Sequence, residues 1–281
     1  MLINEKPQRD KAKPTILILY ALPNGNSIEM TFGRRMKRNL DWHYDVQHIG
    51  AQTRFLRSVL PDKNIIVAYL ETNERSWPAW RKKHDNGNSE IARIVNMLRY
   101  ETGDPNSVVL SAHSGGGSFV SGFLNEFDTI PSYVARIAYL DANYSYDDSL
   151  DHGKKLLQWL KADSSHHLEV IAYDDREIMV NGKKIIGPTG GTYRATQKMI
   201  QRFREETDFN ERQDSTIQRY TAFHGHAEFI IHTNPDTLIL HTVLVEKNGF
   251  IHFILQGTPY EEKNYIFFGK RVYSKFITDS L

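Results

Sequence analysis

The chain has 281 residues, of which 40% are hydrophobic and 25% are charged, a composition typical of globular proteins. Its 35 Lys and Arg residues nearly balance 34 Asp and Glu residues, and the resulting net charge of +1 argues against binding of bulk nucleic acid or an anionic membrane surface. The chain contains no cysteine, which excludes disulfides, cysteine nucleophiles, zinc fingers and iron–sulfur clusters.

The first 14 residues are polar and contain Pro7 and Pro14. We therefore expect a mobile arm at residues 1–14, followed by a single domain at residues 15–281. The arm is too charged for a signal peptide, and the apolar run that follows it is far shorter than the ~20 residues of a spanning helix. These features predict no membrane span and leave the compartment open.

Six apolar runs predict strands, and most are continuous, the pattern of strands buried on both faces of a parallel sheet. They cover residues 16–21, 65–70, 107–112, 134–140, 168–173 and 227–232. Segments with helical spacing alternate with them, at residues 28–39, 50–60, 89–100, 116–127, 150–161 and 193–206. A further helix is expected at residues 242–255, although Asn248-Gly249 weakens its pattern. The alternation predicts an α/β fold, a three-layer sandwich with a mostly parallel central sheet.

Two connections between these elements carry their own signals. Residues 71–88 are predicted to form a long polar loop, and Asn181-Gly182 predicts the turn of a hairpin at residues 177–186. In a parallel sheet, ligands bind beyond the carboxyl ends of the strands, so chemistry is expected in the segments that follow each strand.

The most specific motif is the run SAHSGGG at residues 111–117, between a predicted strand and a predicted helix. Small residues two positions before and after Ser114 permit a turn so sharp that the serine is held in strained backbone angles above the sheet. The turn also places the Gly115 amide at a helix N-terminus, where it can donate to an oxyanion. We interpret Ser114 as a nucleophile; the alternative is a glycine-rich turn that binds phosphate or permits close packing.

This arrangement resembles the α/β-hydrolase superfamily, which includes serine esterases and lipases. The resemblance extends from Ile16 to about Leu255, in the order of strands and in the turn at Ser114. It implies an α/β-hydrolase-like fold and a catalytic triad whose members occur along the chain as serine, acid and histidine.

The resemblance places the catalytic histidine after the last strand. The histidines of this region are His224, His226, His232, His241 and His252. His241 is favoured as the base, because it follows the strand at residues 227–232 and precedes an apolar stretch, and His252 is second. His232 lies within the strand pattern, and the two histidines before that strand would lie at its wrong end.

The acid that orients this histidine is predicted to be Asp141, directly after the strand at residues 134–140, with Asp174 as the alternative. The superfamily most often places the acid after the later strand, which favours Asp174. Some lipases place it after the strand that follows the serine strand, in a Leu-Asp-small context like that of Asp141. Either aspartate could instead brace a loop or cap a helix.

The remaining site residues are predicted from the loops. Asn24, in the Pro-Asn-Gly turn after the first strand, is the candidate for the second oxyanion donor, although the same residues suit a plain tight turn. Trp77, Trp80 and His113 are candidate substrate-binding residues, since aromatic side chains among cations can stack on a sugar or hold a carboxylate. The alternative for the tryptophans is ordinary packing.

No metal site and no cofactor are predicted. The pairs His166-His167 and His224-Gly225-His226 lack partners at ligand spacing, and no nucleotide-binding motif is present. The predicted function is a serine hydrolase that cleaves an ester, less readily an amide, through an acyl-enzyme, on a small-molecule or carbohydrate substrate, with no nucleic-acid partner. The alternatives are an acyltransferase that uses the same site and an inactive binding protein on a hydrolase scaffold.

Overall fold

The strands form where the apolar runs lie, in a computed structural model that describes residues 2–4 and 9–279. In chain order they are β1 (Leu2–Asn4), β2 (Thr15–Ala21), β3 (Asn64–Leu70), β4 (Ser107–His113), β5 (Val134–Leu140), β6 (His167–Tyr173), β7 (Met179–Val180), β8 (Lys183–Lys184), β9 (Asn210–Gln213), β10 (Ile217–Ala222) and β11 (Ala227–His232). The six predicted strands correspond to β2–β6 and β11, each within one residue of the predicted bounds. The predicted hairpin is β7–β8.

The large sheet has nine strands in the order β1-β3-β2-β4-β5-β6-β11-β10-β9. Its six central strands, from β3 to β11, are parallel, and β1, β10 and β9 extend the edges by antiparallel pairing. The edge strands were not predicted because they lack apolar runs. For example, all four residues of β9 are exposed. The predicted mostly parallel sheet is confirmed.

Helices cover both faces of this sheet. In chain order they are α1 (Ile28–Phe32), α2 (Ile49–Val59), α3 (Trp77–Lys83), α4 (Gly87–Glu101), α5 (Gly117–Glu126), α6 (His152–Ala162), α7 (Thr192–Arg204), α8 (His241–Leu244) and α9 (Phe250–Leu255). Helices α3–α7 bury their apolar sides in one core, and α1, α2, α8 and α9 bury theirs in a second core on the opposite face. The predicted three-layer α/β sandwich is therefore confirmed.

The strand order reverses beside β2. The chain passes from β2 to its neighbour β3 on one side, and then returns to place β4 on the other side of β2. The connections that leave β2 and β4 consequently diverge and open a crevice at the carboxyl ends of these strands, where open α/β sheets bind their ligands. Ser114 follows β4, and Asn24 follows β2, so both lie at this crevice.

Three predicted elements differ from the structure. The helix predicted at residues 28–39 ends at Phe32, because Gly33 adopts a φ of +78°. The helix predicted at residues 242–255 is interrupted between α8 and α9, where Asn248 has a φ of +70°. The polar loop predicted at residues 71–88 contains α3, whose first turn is capped by the Ser76 hydroxyl.

The predicted N-terminal arm is attached to the sheet where the structure describes it. Leu2–Asn4 form β1 against β3, and the Asn64 side-chain amide donates to the carbonyls of Asp10 (2.8 Å) and Lys13 (2.9 Å). The rest of that arm, residues 1 and 5–8, lies outside the described residues, as do residues 280–281 of the predicted domain. Every described helix is too short or too polar to cross a lipid bilayer.

Candidate functional site

The turn at Ser114 joins β4 directly to α5. Ser114 has a φ of +55°, in the left-handed region that serine rarely occupies, and a single tight turn, Ser114–Gly116, connects it to the helix. A strained angle of this kind persists only where the surrounding structure holds it. The half-buried side chain of Ser114 therefore occupies the sharp strand-to-helix turn that the motif predicts.

Each of the three glycines after Ser114 faces a different part of the sheet edge. A Cβ atom at Gly115 would overlap the Asn24 side chain, and one at Gly116 would overlap the Ala21 carbonyl oxygen at the end of β2. A Cβ atom at Gly117 would overlap the Ala142 carbonyl oxygen, just beyond β5. The turn can therefore pack against both neighbouring strands only because these positions carry no side chain.

The structure brings Asp141 and His241 together. Asp141 follows β5 with a φ of +47°, is fully buried, and donates its backbone amide to the Ile171 carbonyl (2.7 Å) on β6. His241, the first residue of α8, donates its Nδ1 proton to the Asp141 carboxylate. In a neutral ring, a proton on Nδ1 leaves Nε2 as the acceptor.

The ring of His113 connects this pair to the serine turn. His113 immediately precedes Ser114, its Nε2 donates to the His241 backbone carbonyl (3.0 Å), and the two imidazole rings lie 4.6 Å apart. His113 is buried, and burial together with the nearby His241 lowers its pKa well below the ordinary value, so the ring is neutral. The ring is buried and its Nε2 is bonded to the backbone, and the substrate-binding role of His113 stays a prediction.

Two residues that the sequence did not single out support Asp141. The Thr192 hydroxyl, at the start of α7, donates to the Asp141 carboxylate, and its backbone amide donates to Asp175 (2.8 Å). Burial, reinforced by the negative charge of Asp141, raises the pKa of Asp175 to about 6. The glycines before Thr192 indicate the start of a helix, but no local sequence pattern shows that this start contacts Asp141.

Asp174, the alternative acid, has a different partner. Both of its carboxylate oxygens accept bonds from the Arg176 guanidinium (2.8 and 2.6 Å). Although burial raises the pKa of Asp174, these bonds have the larger combined effect and lower it. His252, the alternative base, is buried in α9 and contacts Glu228 and Tyr265 rather than Asp141.

The Asn24 turn lies against the serine turn, as the overlap with Gly115 shows. The neighbouring Gly25 amide donates to the Arg75 carbonyl (2.8 Å), so it is occupied. Of the backbone amides of Asn24 and Gly25, that of Asn24 is thus the better candidate for an oxyanion donor. The Gly115 amide lies in the first turn of a helix, where amides have no intrahelical acceptor.

The two tryptophans of residues 71–88 differ in position. Trp77 is buried, packs edge-on against Phe119, and donates its indole N–H to the Leu70 carbonyl (3.0 Å). A buried ring whose polar atom is satisfied offers little surface to a ligand, and the substrate-binding role of Trp77 stays a prediction. Trp80 is half-buried and stacks on His84 at 4.3 Å, and its role in substrate binding stays a prediction.

The histidine pairs have structural surroundings. His166 bonds to the Trp159 carbonyl (2.6 Å), and His167 lies 4.7 Å from the His226 ring. Burial and the nearby Arg136 lower the pKa of His167 to about 2, so it stays neutral.

This sheet edge thus carries a serine hydroxyl on a strained turn, a carboxylate-bound imidazole and helix-terminal amides. No family model matches this chain, and no curated protein shows significant sequence similarity to it.

Proposed function

We propose that the protein is a serine hydrolase with an α/β-hydrolase-like fold, which cleaves carboxylic esters through an acyl-enzyme. The observation that carries the proposal is the meeting of three elements at one sheet edge. Ser114 occupies a left-handed turn after β4, the ring of His113 bonds to the His241 backbone carbonyl, and Asp141 bonds to Nδ1 of the His241 ring. The chain order of serine, acid and histidine is that of the superfamily the sequence resembles.

The proposed reaction proceeds in two steps. The Ser114 hydroxyl oxygen attacks the ester carbonyl carbon while its proton passes to Nε2 of His241, and the resulting oxyanion is stabilised by the Gly115 amide and by the amide near Asn24. Collapse expels the alcohol, which takes the proton from His241, and leaves an acyl group on Ser114. Water then attacks the acyl carbon, gives a proton to His241, and the acid leaves as Ser114 regains that proton.

Asp141 has a positioning role in this mechanism. Its carboxylate fixes the tautomer of His241 that presents an unprotonated Nε2, and it stabilises the imidazolium that forms in each step. Thr192 fills the other side of the carboxylate and so prevents it from rotating away.

The surroundings of the site favour an ester with an apolar part. Large apolar side chains are exposed on the segments that follow β5, β6 and β11, the strands that also lead to Asp141, Asp174 and His241. They are Tyr144, Met179, Val180, Ile185, Leu238 and Ile239. Exposed apolar patches are typical of ligand sites and interaction surfaces, and we infer that these side chains contact the apolar part of the ester.

A serine-directed fluorophosphonate probe tests the proposal. We expect stoichiometric labelling that peptide mapping assigns to Ser114, no labelling of Ser114→Ala, and full labelling of the matched control Ser89→Ala, whose exposed serine lies on α4. Hydrolysis of p-nitrophenyl butyrate should follow the same ranking. Folded protein that is not labelled at Ser114 would contradict the proposal and favour the alternative of a binding protein.

A further inference from the structure

A second group of polar side chains lies inside the protein, away from Ser114. Glu169 on β6 and Glu228 on β11 occupy paired positions in neighbouring parallel strands, and His252 of α9 packs over them. All three residues are buried. They lie toward the amino-terminal ends of the strands, whereas Ser114, Asp141 and His241 lie at the carboxyl ends.

Glu169 is left without the hydrogen bonds that a buried carboxyl group requires. Its side chain is inaccessible to solvent, yet neither of its carboxylate oxygens has a hydrogen-bond partner. A buried polar side chain with no hydrogen-bond partner is rare.

The spacing of the three residues matches a metal coordination shell. Nε2 of His252 lies 3.5 Å from a Glu169 oxygen and 3.3 Å from a Glu228 oxygen, and one ligand atom from each residue lies within 4.8 Å of the others. Charge-assisted hydrogen bonds are shorter than this, at about 2.7–2.9 Å. Ligands about 2.1 Å from a tetrahedral Zn²⁺ ion lie about 3.4 Å apart, close to both observed separations.

The surroundings of the cluster supply the other parts of such a site. Nδ1 of His252 bonds to the Tyr265 hydroxyl (2.9 Å), the kind of outer contact that orients a metal-binding imidazole. A cavity of about 1450 Å³ borders Glu228.

Two arginines near the cluster oppose a cation, and each has another partner. The Arg136 guanidinium is buried and donates to the side chain (3.0 Å) and carbonyl (2.7 Å) of Gln256. Arg219 contacts Glu228 (3.3 Å), but it also bonds to both carboxylate oxygens of Glu262 (3.1 Å each). Zn²⁺ binds imidazole and carboxylate ligands more strongly than Mn²⁺ does, and three protein ligands with an open fourth position suit its tetrahedral geometry.

We propose that Glu169, Glu228 and His252 bind one Zn²⁺ ion, with water from the adjoining cavity as the fourth ligand. The ion joins β6, β11 and α9, and its binding requires both carboxylates to be ionised and Nε2 of His252 to be unprotonated. This site is independent of the proposed hydrolase chemistry at Ser114.

The test measures metal binding directly. Chelator-treated full-length protein is titrated with Zn²⁺ by calorimetry, and the bound metal is counted by elemental analysis. Glu169→Gln keeps the shape of the ligand but removes its charge, and Asp208→Asn, at an exposed carboxylate on the same cavity, is a matched control. We expect one Zn²⁺ per chain in the wild type and in Asp208→Asn, and affinity weaker by more than about 100-fold in Glu169→Gln, since even changes in the outer shell cost 10–100-fold.

Two further measurements keep the outcome clear. Zn²⁺ should raise the melting temperature of the wild type but not that of Glu169→Gln. Co²⁺ bound to the wild type should show the intense visible absorption of tetrahedral coordination, a readout that does not depend on a variant's folding. The proposal would be overturned if the wild type failed to bind one ion or if bound Co²⁺ showed no tetrahedral bands. It would also be overturned by full affinity in a folded Glu169→Gln variant, because the ion would then lie on surface histidines.

Discussion

Replacement of Asp141 by Asn tests the proposed mechanism most directly, because it changes one charge and almost no volume. Asparagine tolerates the left-handed backbone of this position, where φ is +47°. The Thr192 hydroxyl donates to one oxygen of the carboxylate, and the other oxygen faces Nδ1 of His241. In Asp141→Asn the amide oxygen should keep the Thr192 bond, which turns the amide N–H toward Nδ1.

The expected loss follows from this geometry. An N–H group that faces Nδ1 forces the imidazole proton onto Nε2, and His241 then has no site at which to accept the Ser114 proton. A wrong tautomer of this kind lowers turnover on the order of 10⁴-fold, which corresponds to about 5 kcal/mol in activation free energy.

The assay is the initial rate of p-nitrophenyl butyrate hydrolysis, with the melting temperature as a check on folding. Asp174→Asn is the matched control, since that carboxylate bonds to Arg176 rather than to a histidine. We expect its rate to stay within about tenfold of the wild type. An Asp141→Asn variant that is folded and retains more than a tenth of the wild-type rate would refute the assigned role, and a larger loss in Asp174→Asn would transfer that role to Asp174.

Three further outcomes are expected. Gly117→Ala places a Cβ on the Ala142 carbonyl and should lower the free energy of unfolding by about 3 kcal/mol in urea denaturation, whereas Gly187→Ala, which meets no neighbour, should change it by less than about 0.5 kcal/mol. Because the pKa of Asp175 is raised from 3.8 to about 6, the folded state binds the Asp175 proton more tightly than the unfolded state does. This contribution to stability is present below pH 4 and is lost as the pH rises to 6. Asp175→Asn should therefore be more stable than the wild type at pH 7.5, by up to about 3 kcal/mol, but not at pH 4. Trp77→Phe removes the bond to the Leu70 carbonyl and should lower the free energy of unfolding by about 1–3 kcal/mol while KM stays unchanged. A selective rise in KM would instead support the predicted ligand-binding role of Trp77.

The central sheet could be predicted because its strands are buried on both faces and therefore consist of continuous apolar runs. The edge strands could not, since β9 is polar and exposed and is defined only by its pairing with β10. Likewise, the helix expected at residues 28–39 ends before Gly33, because Gly33 has a positive φ. The spacing of apolar residues does not predict this backbone angle.

The same distinction applies to the candidate site. Ser114 could be recognised because its constraints are local, within a run of seven residues. The approach of His241 to Asp141 spans 100 residues, and the sequence alone left Asp174 as an alternative. Thr192 was missed because it matters only through its contact with Asp141, and Asp175 because it bonds to Thr192. The cluster of Glu169, Glu228 and His252 was missed because no short motif contains its members.

The three glycines after Ser114 have a consequence for how substrate range could diversify. Because each one rests on the framework of β2 and β5 or on the adjoining Asn24 turn, the Ser114 hydroxyl takes its position from the centre of the sheet. The hairpin β7–β8 and residues 235–239 are exposed and contribute little to that framework. Loop exchange in these segments is therefore a route to new specificities that leaves the geometry of the nucleophile intact.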